Sequence, residues 1–229
     1  MSTSDALAAM DYDIVTFDCY GTLIDWETGI SDAIMTYARE AGVSLQREQV
    51  IRAYHEVEPA VEAAEYRRYK DVLRDTAMGV AHGFGWALEE EQAAFLADSL
   101  PHWPPFSDTN TALELMKDSG YQLGILSNVD DDLLHSTLNH FTVEFDLLIT
   151  AQRVGSYKPA HGHFLRAQEM TVDLRWLHAA QSYFHDIEPA YDLGIPVAWV
   201  NRKAEEPWGH ARPDYEMATL ESLAAILCD

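Results

Sequence analysis

Positive charge is scarce in this chain: 15 Lys and Arg, only four of them lysines, stand against 38 Asp and Glu, a formal net charge of −23. Such a field repels phosphate backbones, and no basic patch offsets it, so nucleic acid is excluded as a partner. Cysteine is equally sparse. Cys19 and Cys228 make no disulfide framework, and no Cys/His spacing suggests zinc. No apolar stretch reaches the roughly 20 residues of a membrane span, and the N-terminus lacks the basic-then-apolar order of a signal peptide, which points to the cytoplasm. Internal repeats and low-complexity linkers are also missing; only the first ten or so residues look loosely held. What remains, 229 residues of which 48% are hydrophobic, suffices for a sizeable core in one or two domains.

The run Asp13-Ile14-Val15-Thr16-Phe17-Asp18-Cys19-Tyr20-Gly21-Thr22-Leu23 is the most informative segment. Ile14, Val15 and Phe17 suit a central strand of an α/β sheet, and Gly21 permits a sharp turn just beyond Asp18. Strand ends of this kind are where such sheets build active sites. Asp18 is the candidate nucleophile; alone, it is equally a carboxylate capping the next segment. Cys19, its neighbour, is expected to face the other way, into the core.

Three further segments give the run its meaning. Leu123-Gly124-Ile125-Leu126-Ser127-Asn128 is an apolar strand ending in a hydroxyl, Tyr157-Lys158-Pro159 places a lysine before proline, and Ala179-Ala180-Gln181-Ser182-Tyr183-Phe184-His185-Asp186 ends in a carboxylate. In this order, the four segments resemble the motifs of the haloacid dehalogenase superfamily. The resemblance implies a doubly wound parallel α/β sheet, Rossmann-like, formed by residues 1–26 and 104–229, with a helical cap inserted at 27–103. It also implies roles: Asp18 as nucleophile, Lys158 as the cation that keeps Asp18 ionised, and Asp186 as the group that orients Lys158 or activates water.

Two departures set the expected chemistry. Phosphatases of the superfamily carry a second Asp two residues after the nucleophile to protonate an alkoxide, and here that residue is Tyr20. Their fourth motif begins with Gly-Asp, a magnesium ligand, where this chain has Ala180-Gln181. A site without acid and metal ligand suits a leaving group that needs no proton. Halide is one, and Asp-Xaa-Tyr-Gly-Thr-Leu resembles the L-2-haloacid dehalogenase branch. Its implied activity is metal-independent hydrolysis of short 2-haloalkanoic acids, with no cofactor, through an ester on Asp18. The rivals are a magnesium-dependent phosphatase or phosphonate hydrolase of the same superfamily, and a non-catalytic binding member.

Tyr20, Thr22, Ser127, Asn128 and Ser182 fall where the family contacts nucleophile, substrate or halide. His185 reads as packing behind Asp186. The tyrosine expected six residues beyond the lysine is Phe164, and the halide-binding arginine of the cap has no alignable counterpart; Arg39, Arg67 and Arg68 are candidates on helical segments. With the long-range field unfavourable and screened by salt, attraction for an anionic haloacid must come from Lys158 and donors within the pocket. A homodimer is the family expectation.

Along the chain, the apolar spacing predicts a helix that follows Asp25-Trp26 and is stopped by Gly42, and further helices from about Arg47 to Met78 and from about Leu88 to Leu100, with Tyr66, Tyr69 and Trp86 either a roof over Asp18 or core. Pro101, Pro104 and Pro105 close that insert. Thereafter helix and strand alternate: 109–119, 123–126, 131–139, 147–149, 163–170, 178–180, 187–193 and 197–200. Glu89-Glu90-Glu91 and Asp130-Asp131-Asp132 read as solvated or helix-start charges.

Overall fold

The first strand, β1 (Ile14–Phe17), is buried at every position, which its unbroken apolar run requires of a strand covered on both faces. It lies inside a six-stranded sheet with β2 (Gln122–Ser127), β3 (Leu147–Thr150), β4 (Trp176–Ala180), β5 (Val197–Val200) and β6 (Tyr215–Met217), in the order β3-β2-β1-β4-β5-β6. Every neighbouring pair is parallel. The structure, a computed structural model, describes residues 11–62 and 65–229. The opening ten residues, read above as loosely held, lie outside the described residues. From β1 the chain moves outward to β2 and β3, then crosses back to β4 on the other side. That reversal opens a crevice at the carboxyl ends of the strands beside β1, where Asp18 follows Phe17.

Between β1 and β2 the chain is helical: α1 (Trp26–Glu40), α2 (Arg47–Glu62), α3 (Tyr69–Gly83), α4 (Phe95–Ser99) and α5 (Thr109–Asp118). Asp25 starts α1 by accepting from the Thr28 amide at 3.1 Å. The helix expected from 47 to 78 is two helices. Asp130 supplies the second start: its carboxylate accepts from the Tyr69 and Lys70 amides at 3.2 and 3.1 Å, capping α3 from a distant loop. Asp130 is therefore fully buried, and of its two readings the helix-start charge holds: it also stands at the N-cap of the helix that begins at Asp131. The helix expected from 88 to 100 shrinks to α4 and a 3₁₀ turn at Leu100–His102. Residues 89–92 are exposed, and without an apolar face to bury, a helical turn there gains little.

Beyond β2 come α6 (Asp131–Thr137), α7 (Ala151–Val154), α8 (Gly162–Met170), a π-helical turn (Tyr183–Ile187), α9 (Glu188–Asp192) and α10 (Leu220–Cys228). Sequence patterning missed β6, α7 and α10, short elements whose place is set by packing. Cys19, in the turn after β1, is buried in the main core with Val15 and Phe17, as expected.

Two glycines bring the helical insert against the strand ends. Gly21, at φ +106°, turns the chain after Asp18, and the Leu23 and Ile24 amides close the turn on Cys19 O. Gly29 of α1 lets Trp103 approach so closely that an added Cβ falls 2.2 Å from the indole Cγ. Gly29→Ala is therefore expected to cost about 1–3 kcal/mol by overpacking, read as a lower urea midpoint. An unchanged midpoint would show that Trp103 moves aside freely.

Candidate active site

Four strand ends converge. Asp18 follows β1, Ser127 ends β2, Lys158 lies in the turn after α7, and Asp186 in the π-helical turn after β4. Lys158 is 1% exposed, and its Nζ donates to Asp18 Oδ1 at 2.8 Å, Asp186 Oδ1 at 2.6 Å and the Leu126 carbonyl at 2.9 Å. An ammonium has three N–H groups, so this one is fully committed. Its backbone is clamped as well: Asn128 Oδ1 accepts from the Lys158 amide at 2.7 Å, and Asn128 Nδ2 donates to the Lys158 carbonyl at 3.0 Å. The Lys158–Pro159 peptide is cis.

The other oxygen of Asp18 accepts from the Thr22 hydroxyl at 3.1 Å, and Thr22 Oγ1 accepts in turn from the Gln181 amide at 2.8 Å. Burial pushes the Asp18 carboxyl above its ordinary value, against the pull of Lys158 and Thr22. Burial acts on Asp186 in the same sense, but there Lys158 and His178 prevail and hold it at about 2. The two carboxylates keep Lys158 charged despite its burial.

Behind Asp186 runs a polar chain that sequence reasoning missed. Trp176 Nε1 donates to Thr16 Oγ1 at 2.7 Å, Thr16 Oγ1 lies 2.9 Å from His178 Nδ1, and His178 Nε2 lies 3.0 Å from Asp186 Oδ1. Using each proton once, Thr16 donates to Nδ1 and Nε2–H donates to Asp186. The signal was present in part: Thr16 and Asp18 share a side of β1 two residues apart, and Thr16 pairs with His178 in the sheet register. That register is invisible before the fold is known.

A cavity of about 310 Å³ lies over this cluster. Asp18, Lys158 and Asp186 line it, together with Tyr20, Ser127, Asn128 and Ser182. Thr22 stands behind Asp18 and touches the cavity only through it. Tyr20 packs edge-on against Trp103 with its hydroxyl 2.8 Å from Thr137 Oγ1, and burial raises it well above the usual phenol range, which makes it a poor proton donor. Ser127 Oγ, fully buried, has no protein partner. Ser182 Oγ accepts from the His185 amide at 3.1 Å and contacts the ring at 3.0 Å, so His185 packs beside Ser182. Of the roof aromatics only Tyr69 lines the cavity; Trp86 packs on Phe95 and Tyr66 on Tyr157. Arg39 is exposed on α1, Arg68 is exposed in the extended segment before α3 and not on a helix, and Arg67, also before α3, pairs with Asp75 at 2.6 Å, so none of the three arginines reaches the cavity. Phe164 sits in the core, edge-on to His178.

The donor set does not fit a divalent cation. Asp18 and Asp186 each give one oxygen to the Lys158 ammonium, and the neighbouring Gln181 adds no charge. Among the described residues no group of three or more His, Cys, Asp or Glu is arranged for a metal.

A family model of haloacid dehalogenase-like hydrolases matches residues 12–174, well over half of the chain and three of the four strand ends. The chain belongs to the haloacid dehalogenase-like hydrolase family. Among curated relatives, (S)-2-haloacid dehalogenase 2 of Pseudomonas sp. (strain CBS-3) is 27% identical over 220 residues, 93% of this chain and 94% of that one. The family fold is equally plain. A structure of L-2-haloacid dehalogenase from Xanthobacter autotrophicus with chloropropionic acid covalently bound superposes with a TM-score of 0.80 at 20% identity, covering 93% and 97% of the two chains. The hydrolase YfnB from Bacillus subtilis, bound to magnesium, gives 0.79 at 17% identity over 94% and 98%. The family fold thus accompanies metal-bound and covalently substituted sites alike, and the site residues must decide between them. No helix among the described residues is long and apolar enough to cross a membrane.

Proposed function

We propose that this chain hydrolyses the carbon–halogen bond of short 2-haloalkanoic acids, giving 2-hydroxy acids through an ester on Asp18. One observation carries the reading: the Lys158 ammonium bridges the Asp18 and Asp186 carboxylates, while Tyr20 and Gln181 stand where the phosphatases of the family carry an acid and a metal-binding carboxylate, so the cluster presents a nucleophile without the acidic set that phosphoryl transfer uses. An Asp18 oxygen attacks C2, and the halide leaves with the bonding pair. Water then adds to the Asp18 ester carbonyl and the C2 alkoxide departs as the hydroxy acid, releasing one proton overall. The first leaving group needs no acid, which accords with Tyr20.

Asp186, held at about 2, is a weak base; it fixes Lys158, and its Oδ2, buried and without a protein partner, orients the hydrolytic water. Ser127 Oγ contacts the bound substrate. The helical segment 27–103 acts as the cap that excludes water and selects chain length, over a core of 1–26 and 104–229. The reaction runs without cofactor, in the cytoplasm, in a homodimer; fractionation and sedimentation check the last two.

The test is halide release from 2-chloropropionate with and without EDTA, followed by a single turnover in ¹⁸O water. Turnover is expected to persist under chelation, and the label to enter the Asp18 side chain first. Strict magnesium dependence with aryl phosphate turnover would instead establish the phosphatase reading.

A further inference from the structure

The cavity is poorly furnished for the anion that the proposed function sends there. Among the described residues five carboxylates line it, Asp18, Glu58, Glu62, Asp186 and Glu205, against two lysines and no arginine. Neither lysine is free: Lys158 has spent its three N–H groups, and Lys203 Nζ donates to Glu27 at 2.6 Å. Glu58 and Glu62 stand four residues apart on one face of α2, both half-buried and both lining the cavity. Asn128 Nδ2 reaches Glu62 Oε1 at 3.3 Å. Ser127 lines the same space, and its Oγ is fully buried and has no hydrogen-bond partner among the described residues.

Resting on the haloacid reading, we propose that Glu62, as a neutral carboxyl, donates a hydrogen bond to the substrate's carboxylate. Two carboxylates side by side in a confined cavity do not both ionise readily, and an anionic ligand at hydrogen-bond distance holds the proton further. A carboxyl–carboxylate contact is a short, charge-assisted O–H···O⁻ bond. The groups facing Glu62 are Glu58 and Tyr54 from α2, Tyr69 from α3, Asn128 from the end of β2, and Tyr157 and Lys158 from the turn after α7. Burial first, then Glu58, push Glu62 up against the pull of Lys158 and Asn128, to about 8; Glu58, raised by burial and opposed by His55, lies at about 7.

The sign follows. Below pH 8 Glu62 carries its proton and donates; as pH rises through 8 the donor becomes a repelling charge, and KM for 2-chloropropionate rises about tenfold between pH 7 and 9. KM for the neutral 2-chloropropionamide stays flat. Glu62→Gln keeps a donor that cannot titrate, so its KM for the acid no longer depends on pH in this range. Glu58→Gln retains the rise but shifts it to lower pH, since the neighbouring like charge is gone. Independently of turnover, calorimetry with propionate in buffers of different ionisation enthalpy should show proton uptake approaching one at pH 9 and none in Glu62→Gln. A flat KM for the acid, or a rise that survives in Glu62→Gln and vanishes in Glu58→Gln, overturns the assignment while the dehalogenase reading stands. Proton-linked propionate binding without halide release from any haloacid overturns that reading and keeps Glu62 as the carboxylate site. Neither binding nor release overturns both.

Discussion

Asp18→Asn is expected to lower halide release about 10⁴-fold or more while leaving Tm unchanged or raised. The two halves of this outcome have one cause. Asp18 is 7% exposed, and burial raises its carboxyl above the ordinary 3.8. A carboxyl whose folded value exceeds its unfolded one costs stability once the pH passes the unfolded value, because the folded state resists the charge. Asparagine removes that cost and keeps a similar shape, and Lys158 retains Asp186 and the Leu126 carbonyl. On the proposed function, Asp18 is held charged at the expense of the fold, a common relation between activity and stability. Halide assay and thermal melting of one preparation check both halves; a steep fall in Tm would make Asp18 a structural residue. The same raised value places the acid limb of kcat/KM in the native enzyme above the ordinary aspartate range.

Lys158→Met has the largest expected effect on the fold. It leaves Asp18 and Asp186 buried with no opposing charge, and breaking such a cluster costs about 3–5 kcal/mol. In the native protein, Asp186 contributes stability that is fully present above its ordinary 3.8 and is lost as the pH falls toward about 2. In the variant the two carboxylates must share a proton, so acid relieves it, and the gap to the native protein narrows between pH 8 and pH 5. Urea titrations at both values measure this; a gap independent of pH would show that packing, not charge, is what was lost. Activity is expected to vanish with it. Lys158→Arg is not expected to restore either property, because a planar guanidinium cannot direct donors at Asp18, Asp186 and the Leu126 carbonyl from one atom.

Much of the fold was written locally. The apolar run at 14–17, and those at 123–126, 147–149 and 197–200, predict strands that the sheet contains, because a parallel strand covered on both faces must be apolar along its length. The long helix expected at 47–78 failed for a nonlocal reason: the side chain that starts α3 belongs to Asp130, some 60 residues away. At the site, Asp18 was legible as a polar residue at the end of an apolar run, whereas Lys158 and Asp186 were picked out by their resemblance to the superfamily's third and fourth motifs. That Asn128 clamps the Lys158 backbone was not, and neither was the chain from Trp176 through Thr16 and His178, because each rests on strand register.

By itself, then, the sequence determined which residues stand at the carboxyl ends of the strands, since period and turn chemistry act over a few residues at a time. Only the tertiary structure decided that one ammonium is shared among two carboxylates and a carbonyl with no donor left over, that no cap arginine reaches the cavity, and that Glu62 does. Saturation of a hydrogen-bonding group and the charge balance of a cavity depend on distances between segments remote in sequence, and those distances exist only after the sheet has set its order and register.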